Sequence, residues 1–169
     1  TIPANKALAY NAGLKYILLE INDNKNFVNR KILIAKDLLE PFKKDTSIEN
    51  VKVLNEFLGK DLKGTICSHP FSKMGYDYDI PMLEANFVTT EQGTGIVHCA
   101  PSHGPDDFNL CLNNNIKAIE TVDGDGKYTN EIKHFEGLHI FKANNLIIEK
   151  LNEQKNLVTN GKLTHSYPH

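Results

Sequence analysis

Short apolar runs separated by turn-forming residues make up most of the chain, and stretches with helical periodicity are few. Runs rich in apolar and β-branched residues, bounded by Gly, Pro, Asn or Asp, are typical of strands. The pattern predicts strands over residues 14–21, 51–58 (the least clear of the set), 64–70, 87–90, 96–100, 117–122 and 162–167. Apolar residues at helical spacing predict helices over residues 30–42, 105–113 and 143–153. Turns are predicted at 22–26 and 123–126, and an exposed loop at 75–80.

This mixture of many short strands and a few short helices favours one class of fold. Because the strands do not alternate regularly with helices, we expect a mainly β fold with helical decoration and a β-barrel core. The chain has 169 residues, of which 40% are hydrophobic. That length and composition suit a single domain with its own core.

The densest cluster of chemically distinctive residues is GTGIVHCAPSHGPDD, at positions 93–107. Gly93 and Gly95 lack a Cβ and permit a tight turn or a close approach. His98 lies within the apolar strand that follows, and Pro105 fits the first position of a helix. Asp107 then falls in the first helical turn, where the helix dipole favours a carboxylate. The chain thus passes from the strand through a loop to the start of a helix, and we call this passage the crossing. We expect the crossing to bring an imidazole, a carboxylate and free backbone N–H groups to one edge of a sheet.

Charge and cysteine content narrow the classes of protein that fit. The formal net charge is −2, whereas an autonomous nucleic-acid-binding domain is usually basic. A site that meets only the end of a nucleic acid remains compatible with this charge. No apolar run approaches the roughly 20 residues that span a bilayer, and no secretory signal precedes the first strand. Three cysteines without a disulfide spacing suit a reducing compartment, so we expect a cytoplasmic protein without a membrane partner.

The sequence gives little indication of a metal site or of a catalytic nucleophile. Soft metal ligands occur at Cys67, His69, His98, Cys99, His103 and Cys111. No Cys-x-x-Cys pair exists among them, and neighbouring strand residues point to opposite faces, so no metal site is expected. The DGDG run at 123–126 lacks the glutamate of a calcium loop, because its twelfth position is His134. Thr94 and Ser102 lie near the strand histidine, but neither sits in a nucleophile elbow.

The 93–107 stretch resembles the editing domain of isoleucyl-tRNA synthetase, the insert often called connective polypeptide 1. The family pattern is Gly-Thr-Gly-x-Val-His-x-Ala-Pro-x-His-Gly-x-Asp-Asp, and every fixed position is present here. The segment CSHP at 67–70 resembles the family's Cys-x-His-Pro strand end. TIPAN at 1–5 resembles the end of its Thr-rich peptide, and YPH at 167–169 the start of its Tyr-Pro-His-x-Trp-Arg motif.

The resemblance covers nearly the whole chain. It implies the β-barrel editing fold shared by the valyl-, isoleucyl- and leucyl-tRNA synthetases. It also implies that residues 1–169 are one editing domain of a larger synthetase. We expect the two ends of such an insertion to lie close together.

The implied activity is hydrolysis of mischarged Val-tRNA(Ile) by water attack on the aminoacyl ester. No cofactor is expected in this domain. The implied partners are the 3′-terminal adenosine of tRNA(Ile) carrying valine, and the rest of the synthetase. A non-catalytic module that binds the tRNA 3′ end, or another partner, is the alternative.

The resemblance also implies roles for individual residues. Asp107 would bind the α-ammonium of the mischarged amino acid, although a carboxylate here also serves simply to cap the helix dipole. His98 would either shape the pocket against isoleucine, which we favour, or hold the water or the terminal ribose. Thr1 would orient the attacking water through its hydroxyl.

Four further residues are expected to contact the substrate. Asn5 belongs to the Thr-rich motif, where a plain turn asparagine is the alternative. Gly95 and Ile96 lead into the strand that carries the histidine. His103 lines the same crossing, with a loop or capping role as the alternative.

Overall fold

Strands dominate the computed structural model, which describes residues 1–23 and 29–161. The first sheet contains β1 (Ala7–Tyr10), β5 (Ile66–Ser68), β6 (Asp79–Glu84) and β7 (Ile96–Cys99). Its order is β5-β6-β1-β7, with β1 parallel to β6 and antiparallel to β7. The central strand β1 carries small residues, and Ala7 and Ala9 are completely buried.

The second sheet contains β2 (Lys15–Ile21), β3 (Lys31–Ala35) and β4 (Val51–Leu58), in the order β3-β2-β4. All its pairs are antiparallel. The sheets meet where β7 begins. The Ala35 N–H donates to the Thr94 carbonyl over 2.8 Å, and the Tyr16 hydroxyl donates to the Gly95 carbonyl over 2.7 Å.

The described residues include three α-helices: α1 (Leu39–Thr46), α2 (Pro105–Asn113) and α3 (Ile140–Glu153). Helix α3 buries Ala143, Ile147 and Leu151, which recur every four residues and therefore share one face. That face belongs to a cluster with Phe71 and Phe135. No helix among the described residues is long and apolar enough to cross a bilayer.

Most of the predicted elements are confirmed. The strands expected at 14–21, 51–58, 64–70 and 96–100 appear as β2, β4, β5 and β7. The helices expected at 105–113 and 143–153 appear as α2 and α3. The turn at 123–126 is closed by the Gly126 N–H, which donates to the Asp123 carbonyl over 3.0 Å.

The helix predicted over residues 30–42 is wrong over its first part, whereas its last four residues, 39–42, lie in α1. Residues Lys31–Ala35 form a strand that pairs with β2, with Ile34 opposite Ile17 and Ile32 opposite Leu19. A short 3₁₀ turn follows and buries Leu38 as well, which mimics helical spacing in the sequence. The proline expected near the helix end, Pro41, instead lies in the first turn of α1, where its missing N–H costs nothing.

Three other predictions need correction. Residues 87–90 and 117–122 form no strand beyond an isolated bridge between Val122 and Tyr128. Residues 75–80 are not an exposed loop, because Tyr76 and Ile80 are buried and β6 begins at Asp79. Strands β1 and β6 were not predicted. The predicted strand at 162–167, and most of the turn at 22–26, lie outside the described residues.

The seven described strands pair into two separate sheets, and they form no closed barrel within the described part of the chain. The fold shown is therefore sheet-dominated and mixed, with helices packed on it.

Candidate functional site

The site is built where β7 gives way to α2. Strand β7 is held by β1, with His98 opposite Leu8. Beyond the strand the chain turns, and Gly104 leads in an extended conformation into Pro105 at the helix start. The Ala100 N–H donates to the Asp107 carboxylate over 2.9 Å. This bond fastens the first turn of the helix to the end of the strand.

The Asp107 carboxylate is half-buried, and its charge is not neutralised locally. One oxygen accepts the Ala100 N–H, and within the described residues no cation forms an ion pair with the carboxylate. Its negative charge opposes the lowering of the His98 pKa, so the two side chains are electrostatically close. A carboxylate that is held in place and has no ion-pair partner among the described residues is suited to binding a cationic ligand.

His98 is a neutral imidazole at physiological pH. Burial is the main cause that lowers its pKa to about 4. Its Nδ1 atom is buried and has no hydrogen-bond partner among the described residues. Buried polar atoms are usually paired, so an unpaired one at a cleft indicates a place for water or a ligand.

Thr1 and His98 line a cleft of about 510 Å³, a size typical of small-ligand sites. The Oγ1 atom of Thr1 is also buried without a described partner. The opposite wall is helix α3, which contributes Asn144, Asn145 and Ile148. The cleft thus combines two unpaired polar atoms with a mixed amide and aliphatic wall.

A second cleft, of about 520 Å³, lies on the other side of Thr1 and is lined by His103 and Thr121. The His103 ring nitrogen Nε2 lies 2.8 Å from Thr121 Oγ1, and burial lowers the pKa of His103. Ser102, in the same loop, donates to the Ile119 carbonyl. His103 is therefore anchored beside the crossing rather than inside the His98 cleft.

Asn5 is buried next to this region, at 3% exposure. Its carbonyl accepts the Tyr78 hydroxyl over 3.1 Å, and its side-chain Oδ1 has no partner among the described residues. It is not one of the residues that line the two clefts. A substrate contact at Asn5 stays a prediction.

Gly95 and Ile96 lie on the sheet side of the crossing. Gly95 has φ 72°, and a Cβ there would overlap the Cβ of Ala35. Ile96 lies opposite Tyr10 and packs in the cluster between the two sheets. The structure thus gives both residues packing roles, and substrate contacts at them stay predictions.

The residues that sequence reasoning missed are those of the α3 wall. Asn144, Asn145 and Ile148 lie more than 40 positions beyond His98 in the chain. The spacing of Asn144 and Ile148 puts them on one helix face. Nothing in the sequence pairs that face with β7, so tertiary packing alone discloses it.

No cluster of three or more His, Cys, Asp or Glu side chains in the described chain could hold a metal ion. Both ring nitrogens of His69 are engaged by the protein: Nδ1 accepts the Phe71 N–H, and Nε2 lies 3.1 Å from the Ile2 carbonyl. The three cysteines are free thiols.

Comparison with known proteins gives a consistent picture. A family model described as leucyl-tRNA synthetase, editing domain, matches residues 15–160. The chain is 68% identical over 169 residues to isoleucine–tRNA ligase of Pelagibacter ubique, and 41% identical over 184 residues to that of Gluconobacter oxydans. Both alignments cover the whole chain and 19% of the relative. The chain thus spans about a fifth of the length of these relatives.

Solved structures show the same fold. The editing domain of the P. falciparum cytosolic leucyl-tRNA synthetase superimposes with a TM-score of 0.51 at 16% identity. A structure named GlLeuRS-CP1 gives a TM-score of 0.50 at 22% identity. In each case the match covers 68% of this chain and 44% of the other. At these identities the likeness concerns the fold alone.

Proposed function

Since the chain belongs to the leucyl-tRNA synthetase editing domain family, we propose that it is the editing domain of an isoleucine–tRNA ligase and hydrolyses mischarged Val-tRNA(Ile). A water oxygen attacks the carbonyl carbon of the aminoacyl ester. The bond to the ribose oxygen breaks, which releases valine and restores the terminal hydroxyl of the tRNA. No cofactor takes part in this step.

The observation that carries the proposal is the Asp107 carboxylate, which lies electrostatically close to His98 and has no ion-pair partner among the described residues. An aminoacyl ester carries a free α-ammonium group, and a carboxylate held in a partly desolvated site is its natural partner. The bond from the Ala100 N–H holds one Asp107 oxygen in place. Binding the ammonium there would position the ester carbonyl within the cleft.

His98 and Thr1 would act on the rest of the substrate. A histidine with a pKa of about 4 is a weak base, which favours shaping the pocket or hydrogen bonding over proton abstraction. The Thr1 hydroxyl can orient a water without titrating. Asn5, Gly95, Ile96 and His103 complete the proposed set as substrate-side contacts.

Discrimination between valine and isoleucine rests on a single methylene. In a hydrophobic pocket that difference is worth only about 1–3 kcal/mol, and selection of isoleucine over valine by this very synthetase is the standard example of that limit. A hydrolytic site that admits valine and excludes isoleucine removes the remaining errors.

The finer architecture belongs to the same proposal. We infer that the intact domain closes into a β-barrel, is inserted as one unit in the synthetase, and works in the cytoplasm on the 3′-terminal adenosine of tRNA(Ile).

Two substitutions at Asp107 in the full-length synthetase test the proposal. Asp107→Asn keeps an acceptor for the Ala100 N–H but removes the charge, whereas Asp107→Ala removes both. We expect both variants to lose Val-tRNA(Ile) deacylation by about 30- to 1,000-fold, corresponding to roughly 2–4 kcal/mol. Isoleucine activation should be unchanged.

The asparagine variant is the decisive one, because it should keep the wild-type melting temperature. If the Asp107→Asn variant deacylates Val-tRNA(Ile) at the wild-type rate, the ammonium-binding role is refuted. If the unmodified synthetase does not deacylate Val-tRNA(Ile), that result would favour the alternative function, a non-catalytic binding module.

A further inference from the structure

A cleft of about 420 Å³ opens beside the proposed editing site, between β5 and the end of α3. Its walls include two cations, Arg30 and Lys73, and none of the lining residues that the structure describes is acidic. The chain as a whole has a net charge of −2. This cleft is therefore a local positive site on an otherwise slightly acidic domain.

The cationic cleft shares a wall with the cleft of Thr1 and His98. His69 lines the first and Ile2 the second, and His69 Nε2 is hydrogen-bonded to the Ile2 carbonyl over 3.1 Å. On the helix side, Gln154 lines the cationic cleft and Leu151 lines the cleft of Thr1 and His98. These two residues are three positions apart, about 4.5 Å along a helix axis. A strand whose end occupies the His98 cleft can therefore reach the cations across this shared wall.

Among the lining residues that the structure describes, Arg30 and Lys73 carry the positive charge of the cleft. His69 is neutral, because burial lowers its pKa to about 4. The Arg30 guanidinium donates to the Lys155 carbonyl over 2.7 Å, which holds its charge at the rim. Lys73 is exposed and forms no ion pair within the part of the chain that the structure describes.

Hydrogen-bonding groups accompany the cations. Ser72 contributes a hydroxyl to the lining. The Oε1 atom of Gln154 is buried and has no partner among the described residues. An unpaired acceptor beside two cations fits a ligand that presents both an anion and a hydroxyl donor.

We propose that this cleft binds the sugar–phosphate backbone of the single-stranded RNA whose end enters the His98 cleft. This inference rests on the proposed function. Arg30 and Lys73 contact a phosphate, as cations do in nucleic-acid sites. Gln154 accepts a ribose 2′-hydroxyl, the group that distinguishes RNA from DNA. The cleft thereby positions the strand without reading its bases.

Lys73 provides the test, since it is exposed and Arg30 also has a structural bond. The full-length synthetase carrying Lys73→Ala, Lys73→Glu or Lys73→Arg is assayed for Val-tRNA(Ile) deacylation over a range of salt concentrations. For Lys73→Ala we expect KM to rise about fivefold, with kcat nearly unchanged and the slope of log KM against log salt reduced by about 0.7. Lys73→Glu should raise KM further, and Lys73→Arg should restore it.

Lys60→Ala is the matched control, because Lys60 is also exposed and lies outside this cleft. A Lys73→Ala enzyme with the KM and salt slope of the Lys60→Ala enzyme would overturn the RNA assignment and leave the proposed function intact. An unmodified synthetase without deacylation would overturn both. Inorganic phosphate at constant ionic strength should not inhibit; inhibition that disappears in Lys73→Ala would assign the cleft to free phosphate instead.

Discussion

His69 and His98 are neutral for the same physical reason but are used differently. Burial lowers the pKa of each to about 4. Both ring nitrogens of His69 are hydrogen-bonded within the protein: Nδ1 accepts the Phe71 N–H, and Nε2 is hydrogen-bonded to the Ile2 carbonyl. His98 lines a cleft, and its Nδ1 has no hydrogen-bond partner within the part of the chain that the structure describes. One histidine therefore holds the segment that forms the cleft, and the other lines it.

The two histidines predict how stability depends on pH. In the unfolded chain both titrate near 6.5, so between pH 6.5 and 4 the unfolded state binds more protons than the folded state. The free energy of unfolding should be highest above about pH 6.5 and should fall towards pH 4, by on the order of 1–2 kcal/mol per histidine after allowance for partial exposure. Urea denaturation at pH 7.5 and 5.0 measures this loss. His69→Asn, which keeps an acceptor for Phe71, should show a smaller loss, and an unchanged loss would contradict the assignment.

His98→Ala tests whether the imidazole excludes the larger amino acid. If the ring is a wall that the extra methylene of isoleucine would strike, its removal enlarges the pocket. The variant synthetase should then hydrolyse correctly charged Ile-tRNA(Ile), while Val-tRNA(Ile) deacylation falls less than in Asp107→Ala. Parallel deacylation assays on the two charged tRNAs decide the matter. If Ile-tRNA(Ile) stays fully protected in the variant, the ring does not exclude isoleucine by its bulk. If deacylation of Val-tRNA(Ile) and of Ile-tRNA(Ile) falls equally, a role in holding water or ribose is favoured.

At the scale of elements, the junction of β3 and β7 fixes the site in place. The Ala35 N–H bonds the Thr94 carbonyl, the Tyr16 hydroxyl bonds the Gly95 carbonyl, and Gly95 lies directly against Ala35. Two residues after Ile96 the same strand presents His98. The second sheet therefore sets the position of the strand that carries the histidine.

Paired glycine substitutions measure this junction. Gly93 and Gly95 both have positive φ, of 77° and 72°, but a Cβ at Gly93 meets nothing within 4 Å. Gly93→Ala should lower the free energy of unfolding by roughly 1–2 kcal/mol, which is the penalty for placing a residue with a Cβ in the left-handed backbone conformation. Gly95→Ala should add overpacking against Ala35, roughly another 1–3 kcal/mol. Chemical denaturation of both variants gives the difference, and equal losses would show that the close approach does not matter.

At the scale of the whole molecule, charge limits how the domain can hold tRNA. A net charge of −2 leaves few contacts that neutralise phosphates, and the cationic cleft supplies two basic side chains. In the proposed editing role, most of the affinity for tRNA would therefore come from other parts of the synthetase.

We accordingly expect the 169-residue chain alone to bind tRNA(Ile) far more weakly than the full synthetase does. The slope of log affinity against log salt should be shallow, about −1 to −2, since each phosphate contact contributes about −0.7 to −0.9. Titration of labelled tRNA at several salt concentrations measures both quantities. A tight complex with a steep slope would disprove this view of the domain.

Local sequence determined the elements whose signals are short-range. Helix α2 follows from Pro105 at its start and the carboxylates in its first turn. Strand β2 follows from its continuous apolar run, and the 123–126 turn from its glycines and aspartates. Such signals lie within a few residues of each other, so they can be read from one chain.

Tertiary structure decided what depends on distant partners. Residues Lys31–Ala35 fit a helix in isolation and become a strand because β2 offers them an in-register neighbour. The parallel pairing of β1 with β6 joins segments about 70 positions apart and leaves no local trace. The sequence singled out His98 and Asp107 as candidates, whereas the α3 residues that line the cleft with Thr1 and His98 were brought there by packing. Backbone preferences act locally, whereas a cleft exists only where side chains from separate elements meet.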